Sequence, residues 1–313
     1  MLVVLQANVG RGTTATSQII KFADSHKIDI IMLQEPHTRD DRVVADSSEF
    51  TVHASNSLQQ IANGNQPQSS SQQPISQQRS NPKANHLSSP LRPKAACLIR
   101  NNVTNYLFDQ EISNVNMAVV AFDSVVLVSL YSNAKRPDKS DRPMTDDLRS
   151  IDIVLKKYQN KPIAILMDSN CHHATFGGNR CDKRGEELID YLQEKELICL
   201  NQPEQGHTYE KTVNNKTQKT FIDLTVANKK FGDRLHSWTI EREAMSTEHA
   251  AILIEPMTRA HDRPRFPSLN LQRIRFSRVC PRRSVFPFDD GLSAGVKINS
   301  IFLFSRRPSA PSY

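Results

Sequence analysis

The chain has 313 residues, a hydrophobic fraction of 38% and five cysteines, with a mean hydropathy of −0.51. That length can bury a sizeable core without disulfide or metal staples, and no apolar run reaches the roughly 18–20 residues a membrane helix needs. The net charge of +7 is localised: from Pro256 onward there are 11 Lys+Arg against 3 Asp+Glu, which is +8 and leaves −1 for residues 1–255.

The N-terminal MLVVLQANVG has no basic leader segment and reads as a strand, not a signal peptide. The cysteines at 97, 171, 181, 199 and 280 form no CxxC pair. Their scatter argues against a structural zinc site or a disulfide framework and predicts reduced thiols inside a cell. Val- and Ile-rich runs at 2–7, 28–33, 95–99, 117–122, 125–131 and 163–167 predict buried strands, with weaker candidates at 222–227 and 250–254. Helices are predicted over 16–26, after Thr145-Asp146-Asp147 where Leu148, Ile151, Leu155 and Tyr158 share a face, and over 185–196. Many strands with few helices predict a two-sheet sandwich flanked by helices. Two segments break this pattern. Of the 36 residues in 55–90, 26 are Ser, Gln, Asn or Pro and none is acidic, which predicts a disordered insertion looping out of one domain, at about 55–93. Residues 257–313 are rich in Arg, Pro and Ser and predict a disordered basic tail, behind a domain of residues 1–256, that can attract polyanions.

Polar residues terminate the predicted strands. LVVLQA ends in Asn8, IDIIMLQ in Glu35, VVLVSL in Tyr131 and IAILM in Asp168, with Asn170 two residues on. Asp223 interrupts the apolar FIDLTV, and Thr247-Glu248-His249 precedes AILI. Singly these are ordinary: Asn is a turn residue, and Asp168-Ser169-Asn170 reads equally as a helix cap. Asp223 is the odd one, because a carboxylate among Phe221, Ile222, Leu224 and Val226 is expected to be buried and to need a partner. As a set they suit hydrolysis of a phosphodiester: hard oxygen donors without a thiolate point to Mg²⁺ or Mn²⁺, with carboxylate, imidazole and carboxamide groups left to orient water and bind phosphate oxygens. No P-loop, GxGxxG or GxSxG occurs.

The pieces LQANVGRG, DIIMLQEPHT, KAACLIRNN, VVLVSLYSNAKRP, IAILMDSNCHHATFGGNRCDKRGEELIDYL, GHTY, TFIDLTVA and MSTEHAAIL, in this order over residues 1–254, resemble the endonuclease/exonuclease/phosphatase superfamily. Within it they are most similar to the apurinic-endonuclease-like domain of non-LTR retrotransposon polyproteins. The resemblance implies an α+β fold, a four-layer α/β/β/α sandwich of two packed mixed sheets flanked by helices. It implies a Mg²⁺- or Mn²⁺-dependent endonuclease that nicks DNA, needs no small-molecule cofactor or membrane, and works inside the cell, in the nucleus if it acts on chromosomal DNA. By the same resemblance Glu35, Asn8 and Glu248 lie at the metal and Tyr131 contacts the scissile phosphate. Asp168 orients or activates the water, Asn170 stabilises the pentacovalent phosphate, Asp223 pairs with His249 for phosphate binding and proton transfer, and Thr208 supports the site. The family pattern Gly-Asp-Phe-Asn is here Met167-Asp168-Ser169-Asn170, and its terminal Ser-Asp-His is Thr247-Glu248-His249. The alternative is a decayed copy that keeps the fold and at most binds nucleic acid. An inositol phosphatase or sphingomyelinase on the same fold is disfavoured by the HHATFGG and IDLTVA pieces.

Overall fold

Successive side chains of a strand point to opposite faces, so a strand buried on both sides reads as an unbroken apolar run. The computed structural model, which describes residues 2–55, 92–136 and 138–256, shows why this chain has so many such runs. In chain order the elements are β1 (Val4–Asn8), α1 (Thr13–Ser25), β2 (Ile30–Gln34), β3 (Thr38–Arg39), β4 (Arg42–Val43), β5 (Phe50–His53), β6 (Ala95–Arg100), β7 (Tyr106–Phe108), β8 (Met117–Phe122), β9 (Val126–Tyr131), α2 (Thr145–Lys157), β10 (Ile163–Asp168), α3 (Lys183–Glu194), β11 (Leu197–Cys199), β12 (Tyr209–Val213), β13 (Lys216–Thr220), β14 (Asp223–Asn228), α4 (Lys229–Gly232), β15 (Leu235–Glu241) and β16 (Ala251–Pro256). Two six-stranded mixed sheets run β15-β16-β1-β2-β6-β5 and β11-β14-β10-β9-β8-β7, and two hairpins, β3-β4 and β12-β13, stand outside them.

The chain is an α+β sandwich in four layers, as expected. Leu5, Ile31, Leu33 and Leu98 on the outer face of the first sheet pack on Ile19, Ile20 and Ala23 of α1. Val128, Ile165 and Met167 on the outer face of the second pack on Ile151 and Val154 of α2 and Leu188 and Leu192 of α3. Between the sheets Val4, Ile30, Met32, Trp238 and Ile252 meet Leu127, Leu166 and Ala227. The predicted helix behind Thr145-Asp146-Asp147 starts at Thr145, with Asp146 and Asp147 in its first turn and Lys156 and Lys157 in its last, both favourable to the helix dipole. The segment 185–196 is realised as α3, capped by Asp182, whose side chain accepts from Gly185 N–H.

The face between the sheets grades from apolar to polar along each strand. In β1 it runs Val4, Gln6, Asn8; in β2 Ile30, Met32, Gln34; in β9 Leu127, Ser129, Tyr131; in β10 Ala164, Leu166, Asp168; in β14 Ala227, Thr225, Asp223. The middle members pair across the gap. Gln34 Nε2 donates to Ser129 Oγ at 2.9 Å and to the Leu166 carbonyl at 3.0 Å. Ser129 Oγ donates to the Leu33 carbonyl at 2.7 Å. Thr225 Oγ1 donates to Gln6 Oε1 at 3.1 Å and accepts from Trp238 Nε1 at 3.0 Å.

Cys97, Cys171 and Cys199 are free among the described residues. No helix among the described residues is long and apolar enough to cross a membrane. The predicted insertion and tail lie outside the described residues, apart from the margins of the insertion, where Ser55 is buried and Arg92 pairs with Asp41.

Thr225→Val removes both inter-sheet bonds of one hydroxyl and leaves Gln6 and Trp238 with buried, unpaired polar atoms. It is expected to cost about 1–3 kcal/mol in urea unfolding. Thr220→Val, at a buried hydroxyl without a hydrogen-bond partner, is expected to cost far less.

Candidate active site

The polar ends of the five strands converge at one end of the sandwich. In the second sheet Asp168 lies directly opposite Tyr131 on one side and Asp223 on the other, so three functional side chains sit in one row across β9, β10 and β14. From the first sheet Asn8 Nδ2 reaches Asp168 Oδ2 at 2.8 Å. Asn170 donates its own Nδ2 to the same oxygen at 3.1 Å and its backbone N–H to Oδ1 at 3.1 Å. Asp168 is 1% exposed. Burial first, and then the charge of Asp223, push its carboxyl up to about 7, against the pull of His249 and the Asn170 N–H.

Asp223 is buried as expected and has the partner it needs. His249 Nδ1 lies 3.0 and 2.9 Å from its two carboxylate oxygens. Burial disfavours the imidazolium, but the charge of Asp223 and the hydrogen bond to it outweigh that and raise His249 to about 9. Tyr209 packs edge-on against the imidazole at 4.8 Å between ring centres. Thr208 is fully buried, and its Oγ1 accepts from the Asp223 N–H at 3.1 Å, so it fixes the start of β14.

Glu35 follows β2 with a left-handed backbone, φ 45°. Its carboxylate meets the Arg11 guanidinium at 3.3 Å, and its charge acts on the nearby Tyr131 phenol. Burial, helped by the charges of Glu35 and Asp168, holds the Tyr131 phenol well above its usual range, so it stays a donor. Glu248 stands apart. It is exposed, and its carboxylate lies 3.7 Å from Lys211 Nζ on the β12-β13 hairpin. The structure thus brings Asn8, Glu35, Tyr131, Asp168, Asn170, Asp223 and His249 together, with Thr208 beneath them, and turns Glu248 toward the hairpin.

Several supporting residues escaped the sequence reading. Arg184, 7% exposed, donates to the carbonyls of Arg142 and Ser169 and to Ser132 Oγ. Ser132 Oγ also donates to Asp147, which pairs with Arg142 at 2.9 Å. Ser132 follows Tyr131 and Ser169 follows Asp168, so this buried network ties two catalytic-end loops to α3. The adjoining Gly185 lets α3 begin there, since a Cβ at that position would overlap the His172 carbonyl oxygen. The signal was present in the motif RCDKRG, where an arginine and a glycine adjoin the start of an amphipathic helix.

The donor set suits a divalent ion. Asp168, Asp223 and, once deprotonated, His249 offer ligand atoms within 4.8 Å of one another, and Glu35 and Asn8 add oxygens. Two buried carboxylates opposed across a sheet call for a cation, and oxygen donors favour Mg²⁺ or Mn²⁺.

The family model described as an endonuclease-reverse transcriptase matches residues 125–253. The endonuclease domain of TRAS1, a telomere-specific non-LTR retrotransposon, superposes with a TM-score of 0.62 at 20% identity, over 83% of this chain and 100% of that one. The chain has the endonuclease/exonuclease/phosphatase fold. Its resemblance to the apurinic-endonuclease-like domain of non-LTR retrotransposon polyproteins stands. Two further structures share the endonuclease/exonuclease/phosphatase fold. The AP endonuclease LMAP from Leishmania major has a TM-score of 0.54 at 11% identity, covering 82% of this chain and 88% of that one. An endonuclease/exonuclease/phosphatase family protein from Leptotrichia buccalis has 0.50 at 11%, covering 82% and 100%. No curated protein matches the chain in sequence.

The Asp223–His249 pair has a stability signature. His249 binds its proton more tightly folded than unfolded, so its contribution is fully present below pH 6.5 and is lost as pH rises through about 9. In EDTA, the melting-temperature advantage of wild type over His249→Gln is therefore expected to shrink between pH 6.5 and 10.

Proposed function

We propose that the chain is a metal-dependent endonuclease that hydrolyses DNA phosphodiester bonds, the target-nicking activity of a non-LTR retrotransposon. The observation that carries this reading is the row Tyr131, Asp168, Asp223 with His249 bonded to Asp223. In this reading a water-orienting carboxylate stands beside a cationic imidazole and a neutral phenol, three groups with complementary tasks at one phosphate.

Asp168 must be ionised to accept a proton from water, and the amide donors of Asn8 and Asn170 favour that form. His249 donates through Nδ1 to Asp223, so as a cation it also carries a proton on Nε2 for a phosphate oxygen. Tyr131 keeps its own proton and can donate it to a phosphate oxygen. Glu35 and Asn8 hold the ion in this reading. When bound, Mg²⁺ or Mn²⁺ supplies Lewis-acid compensation of phosphate charge. The water oxygen bonds to phosphorus as the P–O bond to the leaving oxygen breaks, with proton transfer served by Asp168 and His249. Thr208 positions Asp223. Glu248 is given no metal contact, because its carboxylate faces Lys211. The substrate places the activity in the nucleus where the target is chromosomal. The basic residues 257–313 would add affinity for the same polyanion.

A second reading, a chain that keeps the fold but has lost catalysis, draws on the outward Glu248. Nicking of supercoiled plasmid separates the two. The active reading expects Mg²⁺-dependent nicking that EDTA abolishes. It also expects at least a roughly 10²-fold loss in Asp168→Asn and in His249→Ala, and a small effect of Glu248→Ala. Wild-type protein that leaves the plasmid intact with Mg²⁺ or Mn²⁺ would establish the decayed reading instead.

A further inference from the structure

Arg11 is not among the residues that the nuclease reading uses, yet it holds the carboxylate on which that reading depends. Its backbone is pinned: N–H donates to the Glu35 carbonyl at 2.7 Å, and its own carbonyl accepts from His37 Nδ1 across 3.3 Å. Its φ of 60° turns the chain between β1 and α1. The side chain is different. It is 55% exposed, and its only ion pair among the described residues is with Glu35, whose side chain is 20% exposed. The charge of Glu35 acts on the Tyr131 phenol, and Lys94 Nζ lies 5.6 Å from the centre of that ring. Burial, and then repulsion from Arg11, disfavour the Lys94 ammonium, so cations already crowd this carboxylate.

Resting on the metal-dependent reading above, we propose that Arg11 is an exchangeable counter-ion of Glu35: the guanidinium neutralises the carboxylate until a divalent cation takes its place, and is then released to bind a phosphate of the DNA backbone. A divalent ion on Glu35 would sit within a few ångströms of a guanidinium 3.3 Å from the same carboxylate, and like charges at that range repel strongly. The guanidinium is the group that must leave, since its exposed stem can swing while the Arg11 backbone stays fixed. Once freed at the rim of the site, its planar fork of donors matches a phosphate. Metal arrival and substrate capture are thereby linked through one side chain, in a direction that gives phosphate affinity only to the metal-loaded site.

The test measures Mn²⁺ binding directly, on the full chain without DNA, from the paramagnetic resonance of free Mn²⁺. Truncating a half-exposed side chain leaves the core untouched, and circular dichroism checks the fold. Arg11→Ala is expected to bind Mn²⁺ about two- to fivefold more tightly than wild type, the range of a partly exposed ion pair, whereas Glu35→Gln loses that site. In a second arm, with Ca²⁺ as a probe ion and a duplex oligonucleotide, Arg11→Ala is expected to bind DNA more weakly and to lower the log–log salt slope by about 0.9. Equal or weaker Mn²⁺ binding by Arg11→Ala overturns the exchange, even if nicking is intact. An unchanged salt slope overturns the transfer to phosphate. Absence of Mn²⁺ binding in wild type overturns this inference together with the metal-dependent reading beneath it.

Discussion

Two sheets that pack face to face must fill the space between them, and any polar atom placed there has to find its partner across the gap. In this chain side chains at alternate positions of five strands supply those partners, for all but the Gln34 Oε1 atom, and they set the geometry at the functional end. The bond from Asn8 to Asp168 is the last in a series that begins with Thr225 to Gln6 and continues with Gln34 to Ser129 and Leu166. Each fixes the separation and register of the sheets a little nearer the surface. A carboxylate on one sheet and a carboxylate on the other, Asp168 and Glu35, can then hold a constant geometry although no covalent path between them is short. Inter-sheet hydrogen bonds in a low-dielectric interior are stronger than the same bonds in water and costly to leave half-made, so the arrangement is rigid where rigidity serves chemistry.

Much of this was legible before any coordinates. Runs such as those of β9 and β10 are mostly apolar on both faces because each sheet is covered on both sides, and their ends were visible as Tyr131 and Asp168. Asp223 announced itself by its apolar neighbours. What could not be read was which polar residue of the interior belongs to the site and which holds the sheets together. Ser129, Thr225, Gln6 and Gln34 sit in the same kinds of run as the catalytic candidates, and only pairing between distant strands tells the two groups apart. Glu248 shows the converse limit. Its place beside His249 suggested a shared site, but neighbouring residues of an extended segment point to opposite sides, and His249 takes the inward one.

The loops above the strands are governed from a second centre. Arg184 is buried with its guanidinium spread over Ser132, Ser169 and Arg142, while Asp147 balances the charge and is itself pushed toward its neutral form by burial. An arginine suits this place because its fork of donors can serve three acceptors at fixed angles, which a lysine could not. The first turn of the helix that carries it packs Gly185 against the backbone of His172, so the motif around Arg184 is a hinge pin for the loops after β9 and β10.

Two of the residues around Asp168 hang from backbone that their side chains disfavour: Glu35 has φ 45° and Asn170 φ 46°. A left-handed residue other than glycine costs on the order of 1 kcal/mol, less for Asn. Glycine at either place would relax the chain and delete the chemistry in one step. On the nuclease reading proposed above, both side chains are therefore held at the site against a local backbone preference that glycine alone would satisfy.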